Sequence, residues 1–182
     1  MAEAAVTVQR APPDLPTVPG LRLAAPATRY ILRGAAPAAD AAGEAFGLQV
    51  PREPCRAARS GERAALWLGP DEWLLLAPEE AAAALGSALA AALAALPHSL
   101  VDVSHRQIGL EIAGSQAATL LAAGCPLDLH AEAFPAGMCT RTVLGKSEIT
   151  LWRAAPETFR LEVWRSFAAY VCDFLAESAR GI

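Results

Sequence analysis

Pro70-Asp71-Glu72-Trp73-Leu74-Leu75-Leu76 and, 86 positions on, Pro156-Glu157-Thr158-Phe159-Arg160-Leu161-Glu162 are the two stretches that decide the fold. Each opens on a proline–acid turn and continues into an aromatic-led run with strand character. A helical pattern follows both: the same shift lays Ala82 on Ala168, Leu85 on Val171 and Leu89 on Leu175. Upstream, each half begins with a strand and a helix stopped by glycine, at Gly47 and Gly124. One period occurring twice predicts a duplicated β-α-β-β-α-type (ferredoxin-like) unit, over about residues 27–99 and 100–182. Two such units give antiparallel sheets with helices packed on them, an α+β fold in a single domain.

Working outward, strands are expected over 29–33, 55–59, 64–68 and 73–76, with a hairpin turn at Ser60-Gly61-Glu62 and a helix over 38–46. Pro78-Glu79-Glu80 opens a helix over 79–96, since proline suits a first turn and acids suit the positive helix end. Its leucines Leu85, Leu89, Leu93 and Leu96 form one stripe, while most other positions are alanine. Strands follow over 100–103, 107–112, 138–144, 148–152 and 159–164. Gly114-Ser115 is expected to cap a helix carrying Ala117, Leu120 and Leu121. Ser166 is expected to cap a last helix whose core face holds Phe167, Tyr170, Val171, Phe174 and Leu175. Residues 1–26, with Pro12, Pro13, Pro16, Pro19 and Pro26, read as an extended arm rather than packed structure, either a leader or a segment lying along a partner.

The 182 residues can bury a core without disulfides or metals, and 54% hydrophobic against 19% charged excludes a disordered chain. A net charge of −4 and a pI near 5.4 argue against nucleic acid and polybasic membrane surfaces as partners. No secretory h-region is visible, and the apolar run 81–96 is short for a span, so a cytoplasmic protein that does not enter the membrane is expected. Cys55, Cys125, Cys139 and Cys172 show no Cys-x-x-Cys spacing and read as reduced, mostly buried thiols. Alanine occurs 43 times and lysine once, at Lys146. GC-rich coding accounts for both, and so does a surface made for a partner, because interfaces favour arginine over lysine.

Candidate chemistry is thin. Asp102-Val103-Ser104-His105 holds the residue types of a hydrolase triad, but a strand puts His105 opposite Asp102 and Ser104, so local backbone hydrogen bonding is expected instead. Cys125, Asp128 and His130 lie close in sequence, with His105 or Cys139 as further donors. Pro126, Leu127 and Leu129 make that stretch a packed loop rather than a metal site. No phosphate-binding glycine loop occurs. Trp67, Trp73, Trp152 and Trp164 all fall on expected strands, as core or as a stacking platform for a pterin-like ring or a base, though without the basic groove nucleic acid needs. No catalytic, cofactor-binding or metal-binding residue is nominated.

Gly124-Cys125-Pro126-Leu127-Asp128-Leu129-His130 resembles the gamma subunit of heterotetrameric sarcosine oxidase. Phe134-Pro135-Ala136-Gly137-Met138-Cys139 follows at the family's usual place, and Arg165-Ser166-Phe167-Ala168-Ala169-Tyr170 resembles its closing segment. Asp102-Val103-Ser104 also fits, and the likeness covers roughly residues 28–180. The family is similar to the folate-binding module of the glycine-cleavage T-protein, in keeping with the duplicated α+β pattern. The resemblance implies a non-catalytic structural subunit of a complex that oxidises sarcosine to glycine. That complex makes hydrogen peroxide and either methylene-tetrahydrofolate or formaldehyde. It also implies alpha, beta and delta partner subunits, with FAD, FMN, NAD, tetrahydrofolate and zinc held by them. An alternative is a stand-alone folate-binding one-carbon transferase. The related iron–sulfur-assembly family carries Lys-Gly-Cys-x-Gly-Gln-Glu; here Ala123 precedes Gly124 and Pro126-Leu127 follows Cys125, which departs from it.

The helix over 79–96 yields a test. With its leucines turned to the sheet, Ala84, Ala88, Ala91 and Ala95 face outward, either as compositional filler or against a partner. Leu89→Ala is expected to cost the isolated chain about 2–5 kcal/mol, the usual cost of emptying a leucine site. Ala88→Glu is expected to stay within about 0.5 kcal/mol yet to impair assembly; denaturant melts and co-purification read the two effects separately.

Overall fold

The computed structural model describes residues 15–182. The elements run β1 (Leu21–Leu23), β2 (Ala27–Gly34), α1 (Ala36–Phe46), β3 (Ala57–Ser60), β4 (Arg63–Gly69), β5 (Glu72–Pro78), α2 (Ala82–Leu93), β6 (His98–Asp102), β7 (Gln107–Ala113), α3 (Ala117–Ala122), β8 (Cys139–Leu144), β9 (Ser147–Ala155), β10 (Thr158–Trp164) and α4 (Ala168–Ala179). They build two five-stranded antiparallel sheets, ordered β3-β4-β5-β2-β6 and β8-β9-β10-β7-β1.

Strand alternation explains the layering. In β5, Trp73, Leu75 and Ala77 join a core with Phe46 of α1 and Leu85, Leu89 and Leu93 of α2. Leu74 and Leu76 point the other way, into a second core with Cys139 and Trp152 of the opposite sheet. The run Leu74-Leu75-Leu76 is therefore apolar at every position because both faces of its strand are covered. On the second sheet, Phe159, Leu161 and Val163 of β10 meet Leu120 and Leu121 of α3 and Val171 and Leu175 of α4. The result is four layers: helices, sheet, sheet, helices. The leucine stripe of α2 faces its sheet as its spacing predicts, and Ala84, Ala88, Ala91 and Ala95 are exposed.

The duplication is visible as equal strand orders, β3-β4-β5-β2 and β8-β9-β10-β7. Each half thus carries one more strand after its first helix than a β-α-β-β-α unit. The strand that leads into each half pairs across the boundary. β6 lies beside β2 (Tyr30 opposite Asp102), and β1 lies beside β7 (Leu21 opposite Ile112). Sheet membership therefore does not break at residues 99–100. Gly20 makes the second crossing possible: at φ +76° its backbone runs against Ala113, where a Cβ would sit 1.9 Å from the carbonyl oxygen.

Several local expectations are corrected. The extended reading of residues 1–26 falls partly on 1–14, outside the described residues. Of the rest, Val18 is buried and Leu21–Leu23 form a paired strand, because apolar Leu21 and Leu23 alternate onto the core between the second sheet and α3 and α4. Ser115 and Ser166 are not N-caps. The first turns before α2 and α4 are 3-10 segments, Glu79–Ala81 and Arg165–Phe167, and no side chain caps α3 or α4. α2 ends at Leu93, three residues before the last leucine of its stripe. In the last helix the core face is Ala168, Val171, Cys172 and Leu175; Phe167 and Tyr170 are exposed. Phe167 lies in the 3-10 turn ahead of the helix, and Tyr170, within the helix, sends its hydroxyl to the Lys146 amide rather than into the core.

One charged pair is sealed between the sheets. Arg29 Nε of β2 donates to Glu162 Oε2 of β10 at 2.5 Å, with side-chain exposures of 5% and 1%. Arg29 Nη1 also donates to the Ala27 carbonyl, and Arg160 Nε donates to Glu162 Oε1 at 2.8 Å. Gly109 makes room: a Cβ there would lie 3.1 Å from Arg160 Nη2 and 3.2 Å from Glu162 Oε1. Breaking a buried pair from one side strands the other charge. Glu162→Ala is expected to cost about 3–5 kcal/mol in denaturant melts, and the double replacement Arg29→Met/Glu162→Leu to recover most of it.

Candidate functional site

Beside Glu162 of the Arg29–Glu162 pair, a cleft of about 550 Å³ lies between the two sheets. Ile31, Leu68 and Leu74 of the first sheet form one wall; Gln107, Thr150, Glu162 and Trp164 of the second form the other. Arg106, Arg141, Val143 and Glu148 stand around it. Arg141 is held across the gap by both oxygens of Glu72. Arg106 lies with its guanidinium carbon 5.0 Å from the Trp164 ring centre, a cation–π geometry. Trp164 ends β10 directly opposite Gln107 of β7. Gln107 is 6% exposed, and its Oε1 has no hydrogen-bond partner among the described residues.

The residues singled out in the sequence do not converge on this cleft, Trp164 excepted. Asp102, Ser104 and His105 form a turn, not a triad. The Asp102 carboxylate accepts from the Ser104 amide at 2.8 Å, and Ser104 Oγ accepts from the Arg29 amide at 2.8 Å and pairs with Thr28 Oγ1. That is the local backbone bonding expected of the motif, here clasping the turn before β7 onto β2. Asp128 likewise turns back to accept from the His130 amide, and Cys125 is buried with its sulfur 3.9 Å from Thr142 Oγ1. Among the described residues no three His, Cys, Asp or Glu side chains are grouped so as to hold a metal. Trp73 and Trp152 are buried; Trp164 is 41% exposed.

The other motif residues act as joints. Gly124 lies where a Cβ would meet the Phe174 ring at 2.4 Å, and its carbonyl accepts from the Gly145 amide. The Gly137 carbonyl accepts from the Ala57 amide, and the Cys55 carbonyl from the Cys139 amide, which ties the approach to β3 onto the opposite sheet. Arg165 binds the His105 and Arg106 carbonyls through its Nε and amide, and Tyr170 Oη accepts from the Lys146 amide. Sequence reasoning missed Arg153, which is buried, donates to the Leu129, Phe134 and Pro156 carbonyls and stacks 4.9 Å from the Phe159 ring centre. It also missed Gln107 and the Arg29–Glu162–Arg160 cluster. The available signal was polar residues at strand positions whose neighbours alternate onto a buried face.

The fold falls in the class of T-protein-like duplicated α+β domains. It superposes on glycine cleavage system aminomethyltransferase T from Bartonella henselae with a TM-score of 0.69, covering 88% of this chain and 46% of that one at 15% identity, a likeness of fold alone. The chain belongs to the sarcosine oxidase, gamma subunit family, whose model matches residues 33–180. It is similar to the sarcosine oxidase subunit gamma of Corynebacterium sp. (strain P-1), 35% identical over 136 residues, 74% of this chain and 66% of that one. The Arthrobacter sp. subunit gamma is 36% identical over 116 residues, 63% of this chain and 56% of that one. The chain thus spans between about half and two thirds of the length of these curated relatives. A chain of the heterotetrameric sarcosine oxidase from Corynebacterium sp. U-96 superposes with a TM-score of 0.83 at 31% identity, over 88% of this chain and 83% of that one. No helix among the described residues is long and apolar enough to cross a membrane.

Burial governs the thiols at the joints. It pushes Cys139 from the usual thiol value near 9 up to about 12, and its S–H donates to the Trp67 carbonyl. It pushes Cys172 up to about 11. A thiol that ionises in the unfolded chain but not in the folded one lowers stability as pH rises. Stability is therefore expected to fall from about pH 9 upward, and Cys139→Ala to flatten that slope in urea melts across pH 8–10. Iodoacetamide at pH 8.5 is expected to label Cys55 before Cys139 and Cys172.

Proposed function

We propose that this chain is a structural, non-catalytic gamma subunit of a heterotetrameric sarcosine oxidase. The reaction it supports is oxidative demethylation of sarcosine to glycine, with hydrogen peroxide and methylene-tetrahydrofolate or formaldehyde as products. Its partners in this reading are the alpha, beta and delta subunits, which carry FAD, FMN, NAD, tetrahydrofolate and zinc. The observation that supports it most strongly is the agreement of the family match over residues 33–180 with the 0.83 superposition on a chain of a heterotetrameric sarcosine oxidase.

The chemistry of the chain accords with that role. The recognised motifs are spent on turns and backbone joints, and of the buried charged residues Arg29 pairs with Glu162 while Arg153 is spent on backbone carbonyls. The purified chain is expected to show no flavin absorbance, no stoichiometric zinc and no sarcosine-dependent peroxide. The same chain expressed with the other three subunits is expected to purify in a complex that has all three. Sarcosine turnover by the chain alone overturns the non-catalytic part of the reading; failure to enter the complex overturns the rest.

A further inference from the structure

The inter-sheet cleft combines three features found together nowhere else among the described residues. The first is an amide oxygen without a partner. Gln107 is more than nine-tenths buried, its Oε1 is bonded to nothing, and rotation about its last torsion presents either end of the amide to the cleft. Such a group costs roughly as much as a lost hydrogen bond unless something supplies one.

The second is an exposed apolar lip. Val143 (38% exposed) and Trp164 (41%) both line this cleft, and Phe167 (45%) follows Trp164 by three residues in the adjoining turn. Isolated exposed apolar residues need no explanation; a cluster at the mouth of a cavity does. Tryptophan and arginine are also the side chains most often found to dominate binding energy at interfaces.

The third is charge. Glu162 is neutralised by Arg29 and Arg160, and Arg141 by Glu72, but Arg106 has no carboxylate partner among the described residues. Its guanidinium lies on the Trp164 ring, which holds both groups at the lip and leaves the cation's remaining donors for an incoming acceptor.

We infer that this cleft is the seat of a partner subunit, and that the occupant is an extended segment of a larger subunit of the oxidase. That segment places an apolar side chain between Val143 and Trp164, an N–H or O–H donor against Gln107 Oε1, and a carboxylate against Arg106. The inference rests on the gamma-subunit reading and adds the surface and the chemistry of the contact. A protein segment fits better than a small metabolite because the apolar residues stand exposed at the rim, where a body larger than the cavity covers them.

The test uses the full chain and the complex reconstituted with the other sarcosine oxidase subunits. Affinity for the subcomplex of those subunits is measured by titration, and the thermal midpoint of each chain variant by differential scanning fluorimetry. Trp164→Ala and Arg106→Gln are expected to weaken association by about tenfold or more while the midpoint of the isolated chain changes little. Gln107→Leu is the sharper variant, because removing a buried unpaired amide raises the chain's own midpoint. If the amide serves a partner, the same change weakens association severalfold. Association unchanged in Trp164→Ala and Gln107→Leu overturns the inference, and a loss confined to Ala88→Glu places the interface on the outer face of α2 instead. Failure of the unaltered chain to associate at all counts against the gamma-subunit reading itself. Success with the unaltered chain and no effect of the cleft variants counts against the cleft alone.

Discussion

The Arg29–Glu162 pair is the contact on which the arrangement of the two sheets depends. Both are buried between the sheets, Arg29 on β2 and Glu162 on β10, and neither can be left there without the other. The pair therefore fixes the relative position of β2 and β10 and, through them, of both sheets. Its surroundings are shaped to suit: Arg160 neutralises the second carboxylate oxygen, Gly109 leaves space for both side chains, and Ser104 braces the Arg29 amide. Apolar packing could hold two sheets together at many sliding positions. A buried, hydrogen-bonded ion pair tolerates few of them.

The exchange of leading strands is the second constraint, and it acts on the chain rather than on side chains. β1 and β6 each complete the sheet of the other half, so neither half holds its full sheet by itself. The motif residues sit at the places where this weave must be tied: Ser104 at the turn before β7, Gly137 and Cys139 between sheets, Gly124 against Phe174. Residues recognisable as a family signature are here residues of geometry.

The cleft follows from both constraints. Glu162 of the pair lines the cleft, and there the polar residues of the second sheet face the apolar wall of the first. Thr150, Glu162 and Gln107 line that wall on neighbouring strands, while their pseudo-equivalents in the first sheet include Leu76, one shift of 86 residues before Glu162. Duplication supplied the layout, and divergence made one inner face polar. An exposed tryptophan at the lip of such a cleft is held by a cation rather than by a core.

Proline–acid turns, aromatic-led strands and the leucine stripe of α2 determined the element order, the duplication and the antiparallel α+β class, because each depends on neighbours within a dozen residues. The Gly124–His130 string determined the family for the same local reason: a tight turn demands particular residues in a row. Sequence alone did not reveal that residues 21–23 belong to the second sheet, since three residues carry no readable period and their partners lie about ninety positions away. Nor did it show that Phe167 and Tyr170 face outward, because Phe167 belongs to a 3-10 turn outside the helical period and the Tyr170 hydroxyl meets the amide of Lys146, 24 positions away. The Arg29–Glu162 pair, the unpartnered Gln107 amide and the Arg106–Trp164 lip were decided only by tertiary structure. Each joins groups on different strands, and a chain read one residue at a time does not record which strands will face each other.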